Sequence, residues 1–163
     1  AYDLLLRREY PSWLYPVTKG ATTIWEHWDG MKDDGSMWSA DMNSFNHYAY
    51  GAIGEWMYRA MAGIEADPEH PGFKHAILYP RIGGNLKYTA GKYHSIYGDV
   101  GVKWEVQGKQ ITLTVQIPVN TTAEIRLDQA KAVLESDGLT FTREADYMAA
   151  EAGSGTYHIA FEQ

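Results

Sequence analysis

The sequence predicts an α+β chain in which residues 1–70 are helical and residues 71–163 form an antiparallel β-sandwich. The first observation is a set of apolar residues at helical spacing: Phe45, Ala49, Ala52, Ile53, Trp56, Ala60 and Met61. The second is the alternation of apolar and polar residues with period two over residues 100–106 and 111–117. Residues 67–72 hold two prolines and a glycine, so the sequence predicts the domain boundary between residues 70 and 71.

Short helices joined by long loops are predicted for the first part. Leu4, Leu5 and Arg8 fit a helix that ends by Tyr10, before Pro11. The next segment, 11–17, is aromatic and irregular and has room for one helical turn, while 20–29 is too short to assign. Glycines and serines between residues 29 and 41 indicate a loop.

The clearest predicted helix follows that loop. Asn43 or Ser44 can cap its beginning, and Gly63 is a plausible C-cap, with Ile64 as the alternative end. The apolar stripe is expected to pack inward. His47 falls in the first turn, where a side chain can point out of the helix end toward a ligand.

Six strands are predicted in the second part: residues 76–79, 87–90, 100–106, 111–117, 123–127 and 156–161. Gly108 and Lys109 form the turn between the third and the fourth strand. Short strands at turn-spaced intervals favour an antiparallel sandwich. Trp104 lies at an inward-compatible position, so we expect it in the core, with a sugar-stacking surface as the alternative.

Composition excludes several classes of function. The chain has 163 residues, a net charge of -7 and no cysteine, which disfavours a nucleic-acid partner and excludes disulfides and thiolate chemistry. No signal peptide is visible, and no apolar run approaches a membrane-spanning length, so no membrane partner is expected. The six histidines never fall at a metal-ligand spacing, and we expect no metal site.

The most informative segment is TTIWEHWDG, residues 22–30, in which Glu26 lies between Trp25 and Trp28. Indole faces stack on the apolar faces of pyranose rings, and a carboxylate between them can activate water or hold hydroxyls. A second polar and aromatic segment, NSFNHYAYG, contains His47. Composition alone leaves a structural alternative open, because most tryptophans lie in cores and most lone glutamates are solvated.

These two segments resemble the C-terminal part of bacterial α-L-rhamnosidases, which are inverting glycoside hydrolases with an (α/α)6 barrel and a C-terminal β-sandwich. The resemblance extends over about the first 110 residues and is specific in the two segments. It implies that residues 1–70 are the last helices of the barrel, and that the enzyme hydrolyses terminal α-L-rhamnosyl bonds. It also implies that Glu26 is the general base, that His47 contacts the sugar, and that no cofactor is required.

Inverting hydrolysis needs a second carboxyl group, which acts as the general acid. The resemblance implies that this acid lies upstream of the present sequence. The nearby Asp29, Asp33, Asp34 and Asp41 lie in a glycine- and serine-rich stretch that favours solvated loop residues. We therefore expect a C-terminal fragment that is inactive by itself. We also expect it either to self-associate through apolar barrel surfaces or to leave parts of residues 1–42 disordered, while residues 71–163 stay folded.

Two other interpretations stay open at this point. In the first, the protein is another (α/α)6 glycosidase that acts on a different sugar, because the Trp-Glu-x-Trp core alone does not distinguish such enzymes from rhamnosidases. In the second, the β part is a non-catalytic carbohydrate-binding or structural module. Exposed aromatics on one sandwich face would favour binding, and a uniformly polar face would favour a structural role. The compartment is also open: a bacterial protein of this kind is periplasmic, secreted or cytoplasmic.

Overall fold

A computed structural model describes residues 1–41 and 43–163. The chain divides into two compact units, Ala1–Gly54 and Glu55–Gln163. A boundary between residues 70 and 71 stays a prediction, although a strand of the second unit already begins at Ile64. No helix in the described ranges is long and apolar enough to cross a membrane.

The first unit contains short helices and long irregular segments, as the sequence predicts. Helix α1 spans Tyr2–Leu6, and helix α2 spans Leu14–Thr18. The buried hydroxyl of Ser12 accepts a hydrogen bond from the backbone N–H of Tyr15 at 3.1 Å, which satisfies a donor in the first turn of α2. This helix is the single turn predicted within residues 11–17.

Three helical segments follow one another later in the chain. They are a 3₁₀ turn at Ala49–Ala52, helix α3 at Ile53–Trp56 and a π-helical stretch at Met57–Ala62. The prediction that this helix begins at Asn43 or Ser44 was wrong, because the backbone of the preceding residues bonds to residues 24–26 instead. The apolar stripe is only partly inward, since Met61 is buried whereas Ala49 and Ala52 are exposed.

Gly63 ends the π-helical stretch, which confirms the predicted C-cap. Its φ of 72° lies in the left-handed region that favours glycine. A Cβ atom at this position would lie 2.0 Å from the backbone nitrogen of Pro80. The backbone N–H of Tyr79 donates to the Gly63 carbonyl at 2.8 Å, so two chain segments meet here with no room for a side chain.

The second unit is a sandwich of two five-stranded sheets. The strands are β1 (Ile64–Ala66), β2 (His75–Leu78), β3 (Tyr88–Ser95), β4 (Gly98–Gln107), β5 (Gln110–Ile117), β6 (Thr122–Asp128), β7 (Ala132–Glu135), β8 (Thr142–Arg143), β9 (Tyr147–Ala152) and β10 (Gly155–Glu162). One sheet has the order β1-β2-β6-β9-β8, and the other has the order β3-β4-β5-β10-β7. A 3₁₀ turn at Pro71–Phe73 precedes β2.

All six predicted strands are present, and four short strands (β1, β7, β8 and β9) were not predicted. The pairing is antiparallel except between β2 and β6, which run parallel with His75 opposite Thr122. The predicted antiparallel sandwich is confirmed, with one parallel pair that the pattern did not indicate. Antiparallel neighbours can be joined by a hairpin, whereas this parallel pair is connected by the whole of β3, β4 and β5.

The sandwich core lies between the two sheets and includes Trp104, as predicted. Its indole is fully buried, and Nε1 donates to the carbonyl of Met61 at 2.8 Å. Gly91 in β3 permits a close approach, because a Cβ atom there would lie 2.5 Å from the Cβ of Ala62. These contacts fix the π-helical stretch to the sandwich within the second unit.

A buried tyrosine gives the second unit an alkaline sensitivity. The hydroxyl of Tyr79 donates to Asp128 at 3.2 Å, and the Arg81 guanidinium lies over the Tyr79 ring. Burial, helped by the charge of Asp128, raises the pKa of Tyr79 to about 12. The phenol therefore stays protonated in the folded protein above the pH at which it ionises in the unfolded chain.

We predict that the free energy of unfolding decreases as the pH rises from about 10 toward 12, because the unfolded chain then binds fewer protons than the folded one. The Tyr79 contribution is at most roughly 2.7 kcal/mol, since one pKa unit is about 1.4 kcal/mol. Urea denaturation at about pH 8 and about pH 11 measures the loss. Tyr79→Phe should reduce the difference between the two pH values, and an equal loss in both proteins would contradict the assignment.

Candidate active site

The structure brings the two segments singled out in the sequence side by side. The backbone N–H of Glu26 donates to the Ser44 carbonyl at 2.9 Å, and the Ser44 N–H donates to Glu26 Oε2 at 3.2 Å. Farther along, the His47 N–H donates to the Ile24 carbonyl at 2.7 Å. Glu26 and His47 therefore lie on adjacent antiparallel segments. We call this arrangement the paired segments, residues 23–30 and 43–50.

Both ends of the paired segments carry further bonds. The Thr23 hydroxyl donates to the Phe45 carbonyl, and Asn43 Nδ2 donates to the Gly30 carbonyl at 2.8 Å. A Cβ atom on Gly30 would lie 3.2 Å from Asn43 Oδ1 and 3.2 Å from the Phe45 ring, so the glycine allows the close approach. Ser44 and Asn43 were interpreted from sequence as helix caps, and their part in this pairing was missed.

The two tryptophans beside Glu26 have different surroundings. Trp25 is buried and packs edge-on against Phe45, with ring centroids 4.8 Å apart. Trp28 is partly exposed and stacks on Tyr50 at 4.7 Å, while Trp13 meets it edge-on at 5.1 Å. The Trp13 indole in turn donates to the Tyr50 carbonyl at 2.9 Å. Aromatic packing thus holds the backbone on both sides of Glu26.

Two buried polar atoms of the paired segments have no hydrogen-bond partner among the described residues. They are Trp28 Nε1 and Asn43 Oδ1, one donor and one acceptor. Buried polar atoms are nearly always satisfied in folded proteins, so such atoms need a specific explanation. A hydroxyl group can both accept and donate, which makes a sugar or a water a chemically suitable partner.

His47 lies before the first helical turn rather than within it, which corrects the sequence prediction. Its ring is partly exposed and nearly parallel to that of Tyr48, with centroids 5.9 Å apart. Tyr48 is exposed. His27, by contrast, stacks on Trp38 with ring centroids 3.9 Å apart.

Two of the neighbouring acids are held in the ionised form. Asp33 accepts from Lys19 Nζ at 2.5 Å and from the Tyr15 hydroxyl at 3.2 Å, and these bonds hold the pKa of Asp33 below its usual value. Asp34 accepts from the hydroxyl and the N–H of Ser36, which lowers its pKa as well. A general acid must carry a proton near neutral pH, so neither residue suits that role.

Within the described ranges, no group of three or more histidine and acidic side chains is arranged to hold a metal ion. The chemistry that the paired segments can offer is that of a carboxylate, an imidazole and aromatic faces.

Two family models match the chain in succession. The bacterial alpha-L-rhamnosidase 6 hairpin glycosidase domain matches residues 1–61, and the bacterial alpha-L-rhamnosidase C-terminal domain matches residues 63–141. The chain belongs to the bacterial α-L-rhamnosidase family. The helical first part and the β-sandwich that follows correspond to these two domains, which confirms the predicted fold class.

Individual rhamnosidases support the assignment. An alpha-L-rhamnosidase of Streptomyces avermitilis is 42% identical over 98% of this chain, and one of Formosa agariphila is 41% identical over 86% of it. The crystal structure of the Streptomyces avermitilis enzyme complexed with L-rhamnose matches with a TM-score of 0.88, 40% identity and 98% coverage of this chain. The chain spans about 15% of the length of these two curated relatives and 16% of that crystallised chain.

Proposed function

We propose that this chain is the C-terminal part of an enzyme that hydrolyses terminal α-L-rhamnosyl linkages with inversion. The observation that carries the proposal is the hydrogen-bonded pairing of the Glu26 and His47 segments. It places Glu26 and His47 on adjacent, hydrogen-bonded segments from two separate stretches of a chain whose relatives are alpha-L-rhamnosidases.

Glu26 is the proposed general base. Its main chain and one carboxylate oxygen are both tied to Ser44, so the side chain has a defined direction. The other oxygen can accept the proton of a water that attacks the anomeric carbon. In an inverting enzyme this water lies between the base and the sugar, opposite the leaving group.

His47 is the proposed ligand of a sugar hydroxyl, and the two tryptophans complete the proposed substrate contacts. Partial exposure of its ring favours Trp28 as the contact with the sugar. The burial of Trp25 favours a positioning role for it beside Glu26. No cofactor takes part in this scheme.

The general acid is proposed to lie in a part of the enzyme outside this sequence. The chain alone should therefore show no turnover of an aryl α-L-rhamnoside. Loss of a general acid costs a factor of at least about 10², and the loss of most of the substrate cleft adds to it. Release of nitrophenol by the purified chain is the measurement. Turnover at an ordinary glycosidase rate would contradict the proposal that the general acid lies outside this sequence. Asp29 and Asp41 would then be the candidates for that acid.

His47→Ala in the longer enzyme should raise KM more than it lowers kcat. One lost hydrogen bond to the sugar is worth about 1–3 kcal/mol, or about 5- to 150-fold in kcat/KM. Steady-state kinetics of an aryl α-L-rhamnoside separate the two constants. His27→Ala is the matched control, because His27 stacks on Trp38 and has no proposed contact with the sugar. Equal effects of the two variants would contradict the assignment.

Stereochemistry and sugar choice test the proposal as a whole. Proton NMR during hydrolysis of an aryl α-L-rhamnoside by the longer enzyme should show the β-anomer of rhamnose first, before mutarotation. Initial release of the α-anomer would contradict the role of Glu26 as the base of an inverting reaction. Comparison with aryl glycosides of other sugars tests the alternative that the enzyme is an (α/α)6 glycosidase with a different sugar. Faster turnover of one of these glycosides would contradict the proposed substrate.

A further inference from the structure

The second unit carries a cleft of about 650 Å³, a size typical of small-molecule sites. All its lining residues belong to the second unit, and none has a proposed part in hydrolysis. Three aromatic and three charged side chains dominate the lining: Tyr58, Phe73, Tyr93, Glu55, Arg59 and Glu65.

The aromatic residues leave ring surface open to solvent. Tyr58 is 47% exposed and Tyr93 is 42% exposed. The rings of Phe73 and Tyr93 pack together with centroids 4.5 Å apart, which gives a continuous apolar wall. Phe73 has a φ of 66°, a left-handed conformation that is costly for a bulky residue. Contact with the sandwich core keeps its ring in the wall despite this cost.

The charged residues form a group of ion pairs in the same cleft. Arg59 Nη1 donates to Glu55 Oε1 at 3.0 Å, and Arg59 Nε donates to Glu65 Oε1 at 3.1 Å. The planar guanidinium thus bridges the two carboxylates, and all three side chains are exposed to solvent. Each carboxylate has a second oxygen and can accept further hydrogen bonds, so the cleft offers carboxylate acceptors.

We propose that this cleft is a second, non-catalytic carbohydrate site that binds a pyranose unit of a rhamnose-containing glycan. A pyranose ring has an apolar C–H face and a rim of hydroxyls, and the cleft offers aromatic surface beside carboxylate acceptors. The choice of rhamnose rests on the proposed function, whereas the geometry of the cleft does not.

The test is a titration of the ¹⁵N-labelled 163-residue chain with L-rhamnose, followed by amide chemical shifts. Isolated sugar subsites bind in the millimolar range, so the titration extends to roughly 50 mM, well beyond a Kd of about 1 mM. Saturable shifts should appear at the amides of Glu65, Ala66 and Tyr93. No saturable shift at these amides would overturn the proposal.

Variants separate stacking from nonspecific effects. Tyr93→Ala should raise the Kd by about tenfold or more, because it removes the stacking surface. Tyr88→Ala is the matched control: it removes an exposed tyrosine of the same strand that does not line the cleft, and it should leave the Kd unchanged. Equal affinities of the Tyr93→Ala chain and the unmodified chain would overturn the proposal. Far-UV circular dichroism checks that both variants are folded.

A third variant keeps the two proposals apart. Glu26→Gln replaces a side chain of the paired segments and none of the cleft. The chemical-shift changes at the cleft amides and the Kd derived from them should therefore persist. If hydrolysis by the longer enzyme fails while these shifts remain, only the proposed function falls. Shifts confined to the amides around Glu26 would place the sugar at the paired segments alone and would contradict the second site.

Discussion

Glu26→Gln in the longer enzyme is expected to lower kcat by a factor of roughly 10² to 10⁴, with little change in KM or fold. The amide has nearly the same shape as the carboxylate and can still accept the Ser44 N–H bond through its oxygen. It cannot take a proton from water, so the chemical step loses its base while the paired segments keep their geometry. Steady-state kinetics with an aryl α-L-rhamnoside provide the measurement.

Two controls make this result specific. Asp41→Asn removes an exposed carboxylate from the same unit and should leave kcat unchanged. Azide is a nucleophile that needs no deprotonation, so it should restore turnover of an activated substrate by the Glu26→Gln enzyme and yield a rhamnosyl azide. A kcat near that of the unmodified enzyme would show that Glu26 has a structural role instead.

Gly63→Ala is expected to destabilise the second unit by about 3–5 kcal/mol, through left-handed strain and an unrelieved contact. The added Cβ would lie 2.0 Å from the Pro80 nitrogen and 2.2 Å from the Tyr79 carbonyl carbon, both of which are backbone atoms. Small domains are stable by only about 5–15 kcal/mol, so the loss is a large fraction of the total. Urea denaturation followed by far-UV circular dichroism measures it.

Gly108→Ala is the matched control for this experiment. Gly108 has a φ of 64°, close to that of Gly63, but a Cβ there would meet no atom within 4 Å. Its cost should be limited to the left-handed conformation, about 1–2 kcal/mol. The difference between the two variants in the loss of unfolding free energy measures the backbone contact alone. Equal losses would show that residues 79 and 80 move away without an energetic cost.

Much of the sandwich could be predicted because its pattern is local. The alternation in β4 and β5, the buried Trp104 and the helix end at Gly63 each depend on a few neighbouring residues. Strand β9, by contrast, reads YMAAEA, and alanine has little preference for strands. It forms because β6 pairs with it on one side and β8 on the other. No local sequence pattern predicts these pairings.

The candidate site shows the same limit. Glu26 and His47 were found through their resemblance to a family, and neither periodicity nor composition indicated that they lie on paired segments. Ser44 was interpreted as a helix cap, because serine before an apolar helical pattern usually caps it. Its backbone instead bonds to Glu26, 18 residues away in sequence. Local propensity carries no information about such a partner.

The position of β10 between β5 and the edge strand β7 determines when this sheet can be completed during synthesis. Among the described residues, β7 pairs only with β10, so it has no partner strand until residues 155–162 leave the ribosome. β5 pairs with β4 on one side and needs β10 only for its other edge. Until then, β3, β4 and β5 can form a local meander with an unpaired edge on β5. A chain that ends before residue 155 would therefore leave one edge of β5 unpaired and β7 without a partner strand, and it should aggregate rather than remain as a smaller folded domain.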